Sequence, residues 1–462
     1  MQLSHAAGAV SAVFDEPNLV SAAGLVPVLA LAEAAGLARL VQRQLSVPTD
    51  KGANAGLKVA SLVAGMVAGA DSIDDMGLLR HGGMSRVFVA GYAPSTLGSF
   101  LRAFTFGHVR QLDAIADRFL IELAARSPML NAGRSSPGQR VVIDVDDTVV
   151  EVHGYAKQGA GFGYSKVRGL NALLATVATP DAAPVIIAQR LRKGSCGSPR
   201  GAKRLIADAA AQVRRLLPGH RPLMRADSAF YGRGPIWAAL RGGCDVSVTI
   251  RQDAAVKAAL ARIDDQAWIP IEHPNAVFDE PSGRWISRAE VAEINFTAFA
   301  AGKPAEQVPG RLVVRRIPEL NPTGQDCLFD LWRFHAFFTT SDLDTLTADK
   351  THRGHAIIEQ IHADLKNSAL AHLPSGRFTA NAAWLVLAVI AFNLTRAAAT
   401  LTETSLAKAT TGMIRRRLIT VPARIANSAR RLTLHLPASW PWQQAWTRLF
   451  HWACGPPAAP AP

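Results

Sequence analysis

The chain has 462 residues, 49% of them hydrophobic and 19% charged, with a formal net charge of +14. This composition excludes a disordered chain, and the length leaves room for two or three domains with a sizeable core. Its four cysteines (Cys196, Cys244, Cys327 and Cys454) form no CxxC pair, which argues against a zinc finger or a disulfide framework and suits a reducing cytosol. The opening residues MQLSHAAGAV lack the basic n-region and long apolar core of a signal peptide. The most apolar run, 382–392, falls short of the roughly 18 residues a bilayer span needs, so we expect a buried helix, no membrane and a cytoplasmic location. Charge is unevenly placed: residues 373–462 carry ten Lys/Arg against the single acid Glu403, while residues 1–140 carry twelve against ten. A basic end of this kind fits either a polyanion such as nucleic acid or a solvated basic face.

In chain order, residues 18–47, 56–70 and 96–125 show Ala and Leu at helical spacing, broken by AGADSIDD and HGGMS. Ser95 or Thr96, just after Pro94, is placed to cap the helix that follows. Residues 1–130 read as an all-helical domain, and the Gly/Ser/Pro segment 131–138 as its boundary.

The stretch VVIDVDDTVVEVHG at 141–154 reads as a buried strand interrupted by Asp144, Asp146 and Asp147. Strand periodicity puts Asp144 and Asp146 on one face and Asp147 on the other. Carboxylates in an apolar strand are costly unless they pair or hold a cation. A Gly-rich loop with Lys157, Lys166 and Arg168 follows, without the GK[ST] ending of a P-loop. Strands are expected at 172–178, 185–191, 222–230 (ending in Asp227) and 245–251, with helices at 201–217 and 236–241, which together define an α/β layer. Residues 252–330 hold the candidate strands AWIPI, AEINFTAF and RLVVRRI and read as a β-rich insertion; 331–340 returns to the core as a strand.

Residues 351–367, THRGHAIIEQIHADLKN, predict a helix with an apolar stripe of Ile357, Ile361 and Leu365. His355, Glu359, His362 and Lys366 share another face, which gives Glu359 three potentially cationic neighbours. An apolar helix is expected at 380–399. The tail carries Arg415, Arg416, Arg417, Arg424, Arg430 and Arg431 around the possible strand LTLHLP, followed by Trp440, Trp442 and Trp446. These arginines can contact phosphates; for the tryptophans, packing is the preferred role over base stacking.

Phosphodiester cleavage with two metal ions needs several carboxylates converging from rigid elements. Asp146, Asp227 and Glu359, on two strands and a helix, are the candidates, with Asp144 as the same-face alternative for the first acid. An all-oxygen site of this kind suits Mg²⁺ or Mn²⁺.

The motifs IDVDDT, RADSAF and HAIIEQIHADLKN, with the trailing helix AAWLVLAVIAFNLTRA, resemble the DDE transposases of bacterial insertion sequences over roughly residues 140–400. Asp146 and Thr148 match that family's D-x-[ST] opening, Asp227 its second acid and Glu359 its third. The long interval between Asp227 and Glu359 resembles the subgroup with a β-rich insertion before the glutamate helix. The resemblance implies an RNase H-like mixed sheet with flanking helices, split into 140–251 and 331–402 by an insertion at 252–330. It also implies two Mg²⁺ or Mn²⁺ ions, double-stranded DNA as partner and a homodimeric synaptic complex. The helical residues 1–130 and the basic residues 403–462 would then hold DNA ends or the dimer partner, with Arg415–Arg417 on DNA. In that subgroup a Tyr and an Arg often precede the glutamate and a Lys follows it; Lys366 matches the last, while His352 and His355 stand in the first two places. Lys366, His355 and Arg353 are the phosphate-contacting candidates, Arg353 as a substitute cation.

Three other readings remain. DVDDT also fits the opening motif of haloacid dehalogenase-like phosphatases, with Asp144 as nucleophile and Asp146 as acid/base, but the chain contains no GD dipeptide for the later acidic motif. A DNA-binding protein derived from a transposase, with its chemistry lost, and a nuclease that cuts without joining are the others.

Overall fold

Residues 11–88, 91–130, 140–179, 182–274, 277–280, 284–286, 289–318, 332–428 and 431–455 are described in the computed structural model. The β-branched run around the three aspartates forms the strand Val142–Glu151, paired antiparallel with Arg168–Ala178, which in turn pairs with Val185–Lys193. On its other side lie Leu223–Ala226 and then Asp245–Thr249, both parallel to it. The helix Arg233–Arg241 makes the crossover that this last parallel pair requires. The long strands therefore run 185–193, 168–178, 142–151, 223–226, 245–249 across the sheet. This mixed sheet with flanking helices is compatible with the expected RNase H-like arrangement.

The expected strands between 252 and 330 form as Ile269–Pro270, Glu290–Ala298 and Val308–Pro318. They do not build a separate layer. Trp332–Thr339 pairs with both Val308–Pro318 and Asp245–Thr249, so these strands extend the same sheet to ten members. The end of the segment, with Cys327, lies outside the described residues, as do the expected boundary at 131–138 and Arg430.

The N-terminal helices include Leu25–Ala34, Leu37–Gln44, Ala55–Ala68, Pro94–Arg102 and Phe106–Arg126. Pro94 itself opens its helix, because a missing N–H costs nothing in the first turn, so neither Ser95 nor Thr96 caps it. Thr105 interrupts the expected 96–125 run by accepting the His108 N–H and capping a new helix. These helices pack with the sheet around Phe378–Thr400 in one large hydrophobic core, while two smaller clusters, around Leu312 and Val314 and around Val291 and Phe337, lie under the outer strands. Phe378–Thr400 is long and apolar enough to cross a bilayer by length and composition, but it is wholly buried inside the protein. The chain's two ends are joined as well, since Leu19–Val20 pairs with Ala423–Ser428, itself paired with Arg431–His435.

Within that core helix, Asn393 is buried and bonds the backbone of Ile186 twice: Oδ1 accepts its N–H at 3.0 Å and Nδ2 donates to its C=O at 2.7 Å. The register of this strand slips next to Ile186, at a bulge, and the asparagine satisfies backbone groups that would otherwise be orphaned. Asn393→Leu is therefore expected to lower stability by about 1–3 kcal/mol, measured by urea unfolding. A change under about 0.5 kcal/mol, the scale of a neutral surface substitution, would show that these groups find other partners.

Candidate active site

The three aspartates of Val142–Glu151 have different surroundings. Asp144 is fully buried; Arg225 Nε and Nη2 reach its two oxygens at 2.8 and 2.7 Å, and His355 Nδ1 lies 2.8 Å from Oδ1. Arg225 also donates to the carbonyls of Thr351 and Gly354, the latter at 3.1 Å. One guanidinium thus ties the first strand, the neighbouring strand and the turn into the glutamate helix. Asp147, on the opposite face, is buried against Arg192 at 2.9 Å and also accepts from Asn171.

Asp146 lies between them with its side chain 22% exposed. Its strand pairs Val145 with Ala226, so the next residues outward, Asp146 and Asp227, leave adjacent parallel strands side by side. Asp227 falls just past the end of Leu223–Ala226, where it caps a short turn by accepting the Ala229 N–H at 3.0 Å. Burial pushes the Asp146 carboxyl up to about 7; the charges of Asp227 and Asp147 add to the shift, while the Asp147 N–H and His355 oppose it. The Asp227 carboxyl is raised too, chiefly by partial burial despite an open solvent side, and secondarily by Asp147. Among the described residues neither acid has a Lys or Arg partner; Asp146 has only His362 Nδ1 at 3.7 Å. Among the described residues, the five buried aspartates all pair with arginine: Asp144, Asp147, Asp245, Asp349 and Asp364. Asp146 and Asp227 form a carboxylate pair short of positive charge.

Glu359 sits on the helix Ile357–Lys366, exposed and without an ion pair among the described residues. The buried stripe is Ile358, Ile361 and Leu365, with Ile357 only half-buried, so the helix is rotated slightly from the expected register. The helix keeps an exposed face of Glu359, Gln360, Ala363, Lys366 and Asn367, and the expected sharing of that face by His362 does not hold, because His362 is buried. His355 precedes Glu359 by four residues and meets Asp144, while His362 follows it by three and meets Asp146; Glu359 itself is turned to the exposed side of the helix. Burial, with Lys366 nearby, pushes His362 down to about 4, so it is neutral rather than cationic, and its Nε2 has no hydrogen-bond partner among the described residues. Lys366 lines a cleft of about 420 Å³ together with Asp147, Thr148 and Tyr164. Partial burial lowers its ammonium pKa.

Several expected contacts fall elsewhere. Arg353 pairs with Asp349 at 2.8 Å and lines a separate cleft with His273 and Lys350, so it does not stand in as the cation at the acids. His352 is a core residue: it stacks on Phe337 at 4.0 Å and bonds the hydroxyls of Ser247 and Thr249 at 2.8 and 3.0 Å. Burial drives it down to about 3. Arg415–Arg417 do not act as one exposed cluster. Arg415 is turned inward against Gly69, its pKa lowered chiefly by burial, and Arg417 lies 4.7 Å over the Trp442 ring, which leaves Arg416 exposed. The tryptophans pack as preferred: Trp440 donates to the Arg417 carbonyl at 3.0 Å and Trp446 is buried. Arg225 and Tyr164 were not among the expected site residues, and His362, expected as a cationic neighbour of Glu359, is instead buried beside Asp146. Arg225 carried a usable signal, since an arginine inside an apolar strand needs a buried acid partner.

Among the described residues, no group of three or more His, Cys, Asp and Glu side chains is gathered to hold a metal ion. The Asp146–Asp227 pair nevertheless fits a hard divalent cation in its donor chemistry: all-oxygen ligands, crowded and lacking a basic partner.

An acidic cleft where two parallel strands of a mixed sheet meet a histidine-flanked glutamate helix defines the general class, an α/β protein with a carboxylate site. The chain belongs to the transposase DDE domain group 1 family, whose model matches residues 4–452. It is a DDE transposase; DNA is the partner this family implies, and the family generally uses divalent metal ions. No curated protein sequence matches the chain. Family and geometry together displace the phosphatase reading, because Asp144 is sealed by Arg225 and His355 and has no open face for nucleophilic attack.

Two outcomes follow from these charges. Replacing Arg225 with Met leaves Asp144 buried without its ion-pair partner and is expected to cost about 3–5 kcal/mol; a loss below about 1 kcal/mol, the range of exposed pairs, would contradict that. Because the Asp146 pKa is raised from 3.8 to about 7, the folded state holds that proton more tightly than the unfolded chain. The stability it contributes is full below pH about 4 and is lost as pH rises through about 7. Asp146→Asn is therefore expected to stabilise the cation-free protein at neutral pH by about 1–3 kcal/mol after solvent screening, and to flatten the pH dependence between those limits. A lower thermal midpoint for this variant at pH 7.5 would show the carboxylate to be compensated in the folded state.

Proposed function

We propose that this protein is the transposase of a bacterial insertion sequence, cutting DNA at the element's ends and joining the freed 3′-hydroxyl to target DNA. The observation that carries this reading is the Asp146–Asp227 pair, carboxylates on one strand and just past the end of its parallel neighbour, without a Lys or Arg partner among the described residues. Asp146, Asp227 and Glu359 would hold Mg²⁺ or Mn²⁺, as two ions, with Glu359 swinging in from its exposed position on the helix. Bound there, the cations supply Lewis acidity toward the scissile phosphodiester and lower the cost of ionising the attacking water or hydroxyl.

The protein's own residues supply the frame. Arg225 and Asp144 fix the two strands and the glutamate helix relative to one another. Neutral His362 offers Asp146 a contact that adds no competing positive charge. Lys366, which lines the cleft, would contact a phosphate oxygen. Cleavage frees a 3′-hydroxyl, which attacks a target phosphodiester in line; each step breaks one P–O bond and makes one.

In this reading residues 140–251 and 331–402 form an RNase H-like catalytic domain and 252–330 its β-rich insertion. Residues 1–130 and 403–462, with Arg416, hold the element ends, and a homodimer brings two ends together in the cytosol.

A supercoiled plasmid carrying the native element with its flanks tests this. Asp146→Asn, Asp227→Asn and Glu359→Gln should each reduce Mg²⁺-dependent cutting at least about 100-fold, a loss at the upper end of what outer-shell substitutions cause, while end binding in gel shifts persists. Wild-type cutting by Asp227→Asn would remove Asp227 from the site, and cutting without joined products would identify a nuclease.

A further inference from the structure

The loop that leaves the first-acid strand carries an unusual set of exposed side chains. Tyr155, Phe162 and Tyr164 are 96%, 66% and 78% exposed, although large aromatic rings are costly to leave in water. Residues 153–168 contain Lys157, Lys166 and Arg168 and no Asp or Glu. The base of the loop is fixed: Gly161–Phe162 pairs with Arg168–Gly169, and Gly163 lies so close to the Gly194 carbonyl that a Cβ there would stand 2.8 Å from it. Arg168 lies 5.4 Å over the Tyr155 ring and donates to the loop carbonyls of Gly154 and Tyr155. The rings are thus presented on a held scaffold. Tyr164 shares a cleft with Lys366, Thr148 and Asp147, and its hydroxyl pKa is raised by partial burial and by the charges of Asp147, Asp146 and Asp227. The cleft it lines is bounded by Asp147, next in the strand to Asp146.

We propose that this loop is a stacking surface for an unpaired nucleotide of the DNA strand at the cleft, with the Tyr164 ring on its base and Lys166 and Lys366 on flanking phosphates. Positive charge without acids matches a phosphate backbone, and an aromatic ring requires a base whose face is open. Paired bases inside a duplex hide those faces, so the occupant is a locally unpaired strand. The inference rests on the DNA reading of the site and adds the form of DNA that it takes.

The test uses the full-length protein without divalent cations, so that strand cutting plays no part. Affinity is read by fluorescence anisotropy on a labelled duplex and on the same duplex with a short run of unpaired thymidines. The wild-type protein should bind the unpaired probe more tightly. Tyr164→Ala should lose about ten-fold on that probe and little on the duplex, and Tyr164→Phe should retain the preference. The salt slope should not change, because no charge is removed. Equal losses on both probes, or no loss on either, would overturn the stacking role while leaving the DNA reading intact. A wild-type protein that bound neither probe would remove the DNA reading itself. If Tyr164→Ala altered sedimentation rather than affinity, the ring would be a contact between copies and the proposal would fall.

Discussion

The ion pair between Arg225 and Asp144 is the constraint on which the rest of the site depends. Both groups are removed from water, which is expensive, and the cost is offset only because the geometry is bidentate and the remaining donors are used. Those donors go to the Thr351 and Gly354 carbonyls, at the turn where one helix ends and the glutamate helix begins. A hydrophobic contact could hold these elements together, but it would not fix their rotation and offset. A planar guanidinium bonded on several sides does fix them, and His355 adds a further contact to the same carboxylate.

With that frame in place, the neighbouring carboxylates can remain unneutralised. Asp146 and Asp227 are acids that the protein buries in part and crowds without supplying an arginine among the described residues; both carboxyls are pushed upward, chiefly by burial and secondarily by neighbouring acids. Such a pair destabilises the cation-free fold and is sustained by the large shared core around Phe378–Thr400. The paired acids build the structure, and the two without an arginine are the ones to which the proposed function assigns the cation.

Much of this was legible from the residues. The strand at 142–151, the helix at 202–216 and the opposed faces of Asp146 and Asp147 follow from alternation and helical spacing. The motifs IDVDDT and RADSAF located the two acids that the strand register sets side by side. Other points were not legible, because they depend on what lies across a contact. Asp144 and Asp146 look equivalent in sequence, yet only Asp144 faces Arg225. Arg415, Arg416 and Arg417 look like one basic cluster, yet the backbone turns Arg415 into the core and leaves Arg416 in water.

By itself the sequence determined the periodicities, and therefore the elements, their order and the residue types that bring charge into apolar surroundings. Periodicity is a local property, set by backbone geometry within a strand or a helix turn. Tertiary structure decided which of those charges meet a partner. It joined the strands at 269–270, 290–298 and 308–318 to the central sheet and wrapped the N-terminal helices around the core helix. It placed neutral His362 beside Asp146, and it carried the aromatic tip of the 153–168 loop to the edge of the acidic cleft. Burial and charge pairing arise between segments far apart in the chain, so only the folded molecule distinguishes a structural aspartate from one left available for chemistry.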